Sequence, residues 1–426
     1  MNAATPCVLI VSTKRWPIPA RVALALANAG FAVAAISPRR GFVSQTRAVY
    51  RHFHYRPGAR ASSIVRAIRE CTPELLICTD DPSVKELHRI HAMCGNGPQT
   101  NHAKMICRLI ERSLGEPDGF EIVERKAELL RLAAALGVRC PKTISVAHEG
   151  CDEVLERVRY PILVKADGSW GGKLVRIVED PEQAKTAIRV FQLPSGWPTA
   201  LREFIGRWTW LSGAPWRERD GAGVCVQEFV SGWPANRAVL CWHGRVLGGV
   251  SVRVHKTVYT FGPASTVEIV DLPEMTKTVE TLVRRLKLSG LIGFDFVLDS
   301  ENRAWFIEMN PRVTPACYLR GGAADLAAML YAQMTGKPSP LQACDEEMRG
   351  LIALFPQEIQ RSGTYGFGAA AQIDVPWDDP QLVLALLKSA MKMSFVKRLG
   401  MRRRNRQSRL TEQSKDSYPE QPERAG

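Results

Sequence analysis

The chain has no apolar run approaching the roughly 20 residues needed to span a bilayer, which excludes a membrane-crossing helix. It also has no C-x-x-C pair among its 11 cysteines, and an odd number cannot all pair within one chain. Reduced thiols in a cytoplasmic setting are the expectation, in place of a disulfide framework or a zinc ribbon. No basic leader precedes the apolar Val8 to Val11, and polar Ser12, Thr13 and Lys14 follow at once. That stretch is expected to be a first strand and not an export signal. No G-x-G-x-x-G comes after it, so dinucleotide binding is not indicated, and no G-K-[ST] opens a helix. Acid is the scarce charge: 43 Asp and Glu stand against 57 Lys and Arg, a net charge of +14. Lys397, Arg398, Arg402, Arg403, Arg404, Arg406 and Arg409, with no acid among them, carry half of that excess.

At 426 residues the chain exceeds one hydrophobic core, and two or three compact units are expected. CVLIVST, then ARVALALANAG, then FAVAAISP read as strand, helix, strand of a parallel sheet, and ELLICTDD as a later strand ending in Asp80 and Asp81. Strands of such a sheet point their polar ends at a crevice. The polar stretch between Arg112 and Phe120 is a domain boundary, and Lys126 opens a helix that Gly137 stops. His88, His91 and Cys94 share a helical face but have no fourth ligand in reach, so an ordinary helix surface is expected.

The stretch with the clearest chemistry is Gly293 to Arg312. Both halves alternate with period two, which predicts a hairpin turning near Glu301-Asn302. Asp295 then falls opposite Glu308, with Asn310 two residues on, so oxygen-bearing side chains converge. Facing carboxylates repel, and hard oxygen ligands of this kind suit magnesium, which usually shares its shell with substrate phosphates. The hairpin therefore predicts a nucleotide site with Arg312 beside it as a clamp for transferred charge; a solvated surface hairpin is the alternative. Upstream, YPILVKADGSWGGKLVRIVED reads as strand, glycine loop, strand. Lys165 ends the first strand, and Gly168, Gly171 and Gly172 let backbone approach phosphate oxygens. Gln227, Glu228 and Val230 in VCVQEFVSG offer backbone hydrogen bonds and an apolar wall to a flat base. Trp197, Trp208, Trp210 and Trp216 lie among prolines and arginines, and either fill a small core or form a contact surface.

Taken together and in this order, these pieces resemble the ATP-grasp superfamily, particularly the branch of biotin carboxylase and the large subunit of carbamoyl phosphate synthetase. The resemblance covers roughly Pro6 to Gly336. It implies a mixed α/β and α+β architecture, an ATP-grasp fold behind an N-terminal Rossmann-like parallel-sheet domain. Domains are expected at 1–116, 117–336 (with a lid at about 141–230), 337–396 as a strand and helix extension, and 397–426 as a basic tail. By the same likeness Lys126 and Lys165 contact ATP phosphates, and Gly168, Gly171 and Gly172 form a flap over them. Gln227, Glu228 and Val230 hold adenine. Asp295, Glu308 and Asn310 bind magnesium or manganese, and Arg312 stabilises the reacting groups.

The flap departs from the family pattern at Trp170 and Leu174, and Trp233-Pro234-Ala235-Asn236 stands where an acid commonly holds ribose. Val313-Thr314-Pro315-Ala316 lacks the glutamate that biotin carboxylases use, so biotin carboxylation is not expected. The implied activity is an ATP-dependent carboxylate–amine ligase with small-molecule acid and amine substrates; the alternative is an ATP-binding module recruited to a partner without ligase chemistry. Beyond the hairpin, GGAADLAAMLYAQMTGKP reads as a helix, LIALFPQEI as a strand and DVPWDDP as a loop. Leu382, Leu386, Met393 and Val396 recur at helical spacing among lysines, so this helix and the tail suit either solvent or an anionic membrane surface; nucleic acid is not the expected partner.

Overall fold

The computed structural model describes residues 5–146, 151–166, 175–192, 223–319, 325–340, 348, 350–362 and 372–391. Strands β1 (Cys7–Val11), β2 (Ala32–Ser37), β3 (Val49–His54) and β4 (Leu75–Cys78) form a parallel sheet in the order β3-β2-β1-β4. The β1 sequence is continuously apolar because both sheet faces are covered. Val8 and Ile10 pack on one side with α1 (Ile18–Asn28), while Leu9 and Val11 pack on the other with α2 (Arg60–Cys71), α3 (Asp81–Asn96) and α4 (Asn101–Leu114). His88 and His91 on α3 sit against carboxylates, Glu124 at 2.6 Å and Glu111 at 2.7 Å.

A second sheet of seven strands is assembled from β9 (Trp233–Trp242), β10 (Arg245–Thr257), β11 (Ala264–Ile269), β12 (Gly290–Leu298), β13 (Ala304–Asn310), β14 (Leu351–Leu354) and β15 (Gln372–Asp374), in the order β13-β12-β9-β10-β11-β14-β15. One face carries Phe294, Phe296, Phe306 and Val239, and buries them under α5 (Lys126–Ala135) and α6 (Pro273–Leu286). The apolar residues of α6, Met275, Val279, Leu282, Val283 and Leu286, fall at helical spacing on one side. The other face, through Ala238, Val250, Val252, Val267, Ile352 and Leu354, shares a core with α1 of the N-terminal sheet, with α7 (Leu326–Thr335) and with the helix at 380–391, α8. A third, antiparallel sheet has the order β5-β8-β6-β7, from β5 (Thr143–Ser145), β6 (Ile162–Ala166), β7 (Val175–Val178) and β8 (Val224–Glu228).

LIALFPQEI splits: only its first four residues are strand, and Gln357–Ser362 turns helical after Pro356 because proline cannot donate to a ladder. β14 pairs with β11, so the segment past residue 336 completes the same sheet that holds the hairpin of β12 and β13. Leu382 and Leu386 of α8 are wholly buried in the shared core, so these two apolar residues face protein and not lipid. Met393, Val396 and the basic run lie outside the described residues, as do Trp197 to Trp216. Among the described residues no helix is long and apolar enough to cross a membrane.

Candidate active site

The hairpin of β12 and β13 forms with the expected register: Gly293 pairs with Asn310, Phe294 with Met309 and Asp295 with Glu308. A bulge follows Asp295, after which Phe296 pairs with Phe306. The turn is closed by Asp299, which accepts the backbone N–H groups of Glu301 and Arg303, each at 3.0 Å, and by Asn302 at a positive φ of 59°. Because the phenylalanines of β12 point into the core under α6, Asp295 must point to the opposite face, toward the N-terminal sheet.

Asp295 does not stand alone there. Asn310 Nδ2 donates to its Oδ2 at 2.7 Å, and Asn236 Nδ2 from the neighbouring β9 donates to its Oδ1, also at 2.7 Å. Each amide is oriented in turn. Arg312 Nη2 donates to Asn310 Oδ1 at 2.9 Å, and Thr314 Oγ1 donates to Asn236 Oδ1 at 3.1 Å. Thr314 reaches that position only because residue 293 is glycine; a Cβ there would lie 2.1 Å from the threonine methyl. Burial and the facing Glu308 push the Asp295 carboxyl above the ordinary aspartate range in spite of the two amides.

The positive charges converge on the same pair. Lys126, the first residue of α5, places Nζ 2.9 Å from Glu308 Oε1. Lys165, near the end of β6, is 5% exposed, and its ammonium makes no hydrogen bond or ion pair with another described residue. Burial lowers its pKa, with Glu308 pulling the other way and Lys126 adding to the decrease. A buried ammonium that is left under-compensated suits an anion that arrives later.

Arg312 leaves the hairpin and bridges to the N-terminal sheet. Its Nε lies 3.3 Å from Asp81 Oδ1, and its guanidinium lies over the Trp16 ring at 5.5 Å. The next residue, Val313, donates its N–H to Cys78 O of β4 at 3.1 Å, which fixes the two sheets to each other beside the site.

The proposed base-binding residues are arranged differently from their sequence reading. Gln227 is buried, with Nε2 donating to Thr143 Oγ1 at 3.0 Å, and the Glu228 carboxylate accepts Lys142 N–H at 3.1 Å. Both side chains are therefore engaged within the chain. What remains on offer is the turn beyond β8, with half-buried Val230 and with Phe229 37% exposed. Gly168, Gly171 and Gly172, with Trp170 and Leu174, lie outside the described residues, while the strands on either side of them pair as an antiparallel hairpin, Lys165 opposite Val175.

Asn236 and Thr314 were not singled out from the sequence. The segment Trp233 to Asn236 reads there only as a place where an acid is missing. The available signal was the alternation of β9, which puts Asn236 on the face of Ala238, next to Asp295.

Residues 212–316 match the ATP-grasp domain family. Among curated proteins, the carbamoyl phosphate synthase large chain of Thermotoga neapolitana is 25% identical over 213 residues, which is 46% of this chain and 16% of that protein. The match thus spans about a sixth of that relative's length. Among solved structures, the biotin carboxylase of Campylobacter jejuni, determined as a β-γ-ATP complex, overlays with a TM-score of 0.54 at 14% identity, covering 80% of this chain and 72% of that one. The biotin carboxylase domain of the Hydrogenobacter thermophilus 2-oxoglutarate carboxylase, determined with MgADP and bicarbonate, gives 0.52 at 17% identity, covering 81% and 73%. The mixed helix and strand architecture, with a four-stranded parallel sheet at the N-terminus, is that of the ATP-grasp fold.

Proposed function

We propose that the ATP-grasp domain of this protein binds ATP with magnesium or manganese and drives a carboxylate–amine ligation. The observation that carries the reading is the register of Asp295 on Glu308, with Asn236 and Asn310 on the first carboxylate and Lys126 on the second. Two like charges directly opposite on neighbouring strands are unfavourable unless a cation joins them. Among the described residues no three His, Cys, Asp or Glu side chains are grouped to hold a metal. A set of two carboxylates and one amide is nevertheless what a cation needs when the phosphates supply the rest of its shell. The residues fit that group: Asp295, Glu308 and Asn310 would hold the ion, which when bound neutralises the triphosphate.

The chain's own residues do the remaining work. Lys126 exchanges Glu308 for a phosphate oxygen, and buried Lys165 meets an anion at last. Gly168, Gly171 and Gly172 lie on the connection between β6 and β7 and would cover the phosphates. The turn beyond Gln227 and Glu228, with Phe229 and Val230, receives adenine through its backbone. Arg312, anchored by Asn310 and Asp81, stabilises charge on the reacting acid. A carboxylate oxygen of the substrate bonds to the γ-phosphorus as the bond to ADP breaks, giving an acyl phosphate. The amine nitrogen then bonds to the acyl carbon, phosphate departs with the electron pair, and the nitrogen releases its proton to solvent. All ten cysteines among the described residues are free thiols, which supports a reducing, cytoplasmic setting.

Hydroxylamine supplied as the amine tests the reading, because it converts an acyl phosphate to a stable hydroxamate. Hydroxamate and ADP are expected in equal amounts with ATP, magnesium and the accepted acid. ATP binding with neither product, across a broad acid panel, would leave a nucleotide-binding module without ligase chemistry.

A further inference from the structure

Helix α8 is held from two sides. Asp379 caps its first turn: Oδ1 accepts Leu382 N at 3.0 Å, while Oδ2 accepts Thr46 Oγ1 at 2.6 Å and Arg47 N at 3.0 Å from the connection between β2 and β3. Leu382, Leu386 and Ala390, one turn apart, are wholly buried in the core that the two sheets share. The orientation of the helix is thereby fixed, and with it the set of residues turned away from the protein. Several of these are apolar. Leu384 and Met391, two turns apart on one side, are 51% and 52% exposed, and half-buried Leu387 borders them. Trp377, three residues before the helix, is 72% exposed, more than any other large apolar side chain among the described residues.

Single exposed apolar residues are ordinary on a protein surface. This set differs in its spacing and in the charge that accompanies it. Lys388 is exposed between Leu384 and Met391, and the only exposed acid from Gln372 to Met391 is Asp378. From Lys388 to Arg409 the sequence holds nine Lys and Arg and no acid. Nucleic acid would draw on the basic run through its phosphates but makes no use of exposed leucine and methionine. A protein partner would cover the apolar side chains, yet nothing in such a contact calls for so many cations of one sign. The surface of an anionic bilayer uses both. Leucine and methionine enter the acyl boundary, tryptophan sits at headgroup level, and lysine and arginine meet the lipid phosphates.

We propose that the outer face of α8, with Trp377 at its N-terminal end, docks this protein on the surface of an anionic phospholipid bilayer. Leu384 and Met391 insert at the boundary between headgroups and acyl chains, and Lys388 with the basic residues that follow it in sequence lies against the headgroups. The buried side of the helix, through Leu382, Leu386 and Ala390, keeps the docked face joined to the core. The helix then lies in the plane of the membrane and does not cross it. The apolar repeat that is legible in the sequence faces the protein, and the lipid-facing set starts two residues further on, at Leu384. This docking is independent of the ligase reading and places the nucleotide site at a membrane surface.

The test is sedimentation of the full chain with vesicles of phosphatidylcholine and phosphatidylserine, and with vesicles of phosphatidylcholine alone, over a range of salt. Binding is expected with the anionic vesicles only, and should weaken as salt rises. The triple variant Trp377→Gln, Leu384→Gln, Met391→Gln should lower the partition coefficient about tenfold or more, because three side chains no longer remove apolar area from water. Its urea midpoint should stay close to that of the wild type, since all three face outward. Should the triple variant fail to fold, Leu384→Gln alone is expected to lower the coefficient about fivefold. Vesicle binding unchanged in a folded triple variant, or in Leu384→Gln where the triple is unfolded, overturns the proposal and leaves the basic run as the whole contact. A wild-type chain that stays in the supernatant with anionic vesicles also overturns it, and light scattering of the free chain then shows whether a second copy covers this face.

Discussion

Replacing Glu308 by Gln separates a metal ligand from a structural ion pair, and the geometry sets the size of both effects. In the free protein Glu308 is attracted to Lys126, 2.9 Å away, and repelled by Asp295 directly across the strands. Opposite Cβ atoms of an antiparallel pair lie about 5 Å apart, and at that separation an effective dielectric constant of about 20 gives roughly 3 kcal/mol of repulsion. The Lys126 contact is closer, but Glu308 keeps 25% side-chain exposure, and such partly solvated pairs contribute only about 1 kcal/mol net. Glutamine keeps an acceptor for Lys126 and turns a donor toward Asp295. The two terms oppose each other, so the stability of the nucleotide-free protein should change by less than about 2 kcal/mol. Binding of manganese with a non-hydrolysable ATP analogue behaves otherwise, because a negatively charged ligand is lost from the ion. A fall of about 10²–10³ in affinity is expected, equivalent to roughly 3–4 kcal/mol. Urea unfolding gives the first quantity and titration calorimetry the second. Undiminished metal–nucleotide affinity would refute the reasoning, and so would a stability loss above about 4 kcal/mol, which would mark Glu308 as a structural partner of Lys126.

Three further outcomes follow from the same contacts. Asp295 has a raised pKa from burial and from Glu308, so its ionisation weakens the folded state as pH rises from the ordinary aspartate range through the folded value, and a bound cation reverses that penalty. Metal–nucleotide binding at mildly acid pH should then release protons, seen by calorimetry in two buffers of unlike ionisation enthalpy; identical heats after buffer correction at every pH would contradict it. Asp80→Ala removes the anchor of Ser12 and Thr13 together with the α3 cap, and should cost about 2–4 kcal/mol in urea unfolding, from a cap worth about 1 kcal/mol plus buried donors left unpaired. Gly293→Ala drives a methyl into Thr314 and should cost about 1–3 kcal/mol while loosening the Asn236 contact; a variant with wild-type stability and wild-type metal affinity would show that the close approach is immaterial.

Much of the site was legible because strand periodicity is a local property. Alternation in GFDFVLDS and AWFIEMN was enough to set Asp295 opposite Glu308 and to send the phenylalanines the other way, and the described pairing has that register. The Lys126 helix start and the strands flanking the Lys165 glycine loop were likewise readable, since caps, glycines and apolar runs act over a few residues. Three things were not. Asn236 reaches Asp295 from a strand 59 residues away in sequence, a pairing decided by sheet order and not by any local signal. The orientation of Gln227 and Glu228, engaged with Thr143 and Lys142, depended on how β5 meets β8.

Leu382 and Leu386 have the spacing of an apolar face, but spacing alone says nothing of what covers it; here the seven-stranded sheet and the N-terminal helix do. The chain by itself thus determined which residues carry charge and which side of a strand they occupy, since backbone geometry dictates both. Only the tertiary structure decided that the polar end of the N-terminal sheet, with Trp16 and Asp81, would stand against Arg312. That meeting depends on two separate sheets burying a common core between them.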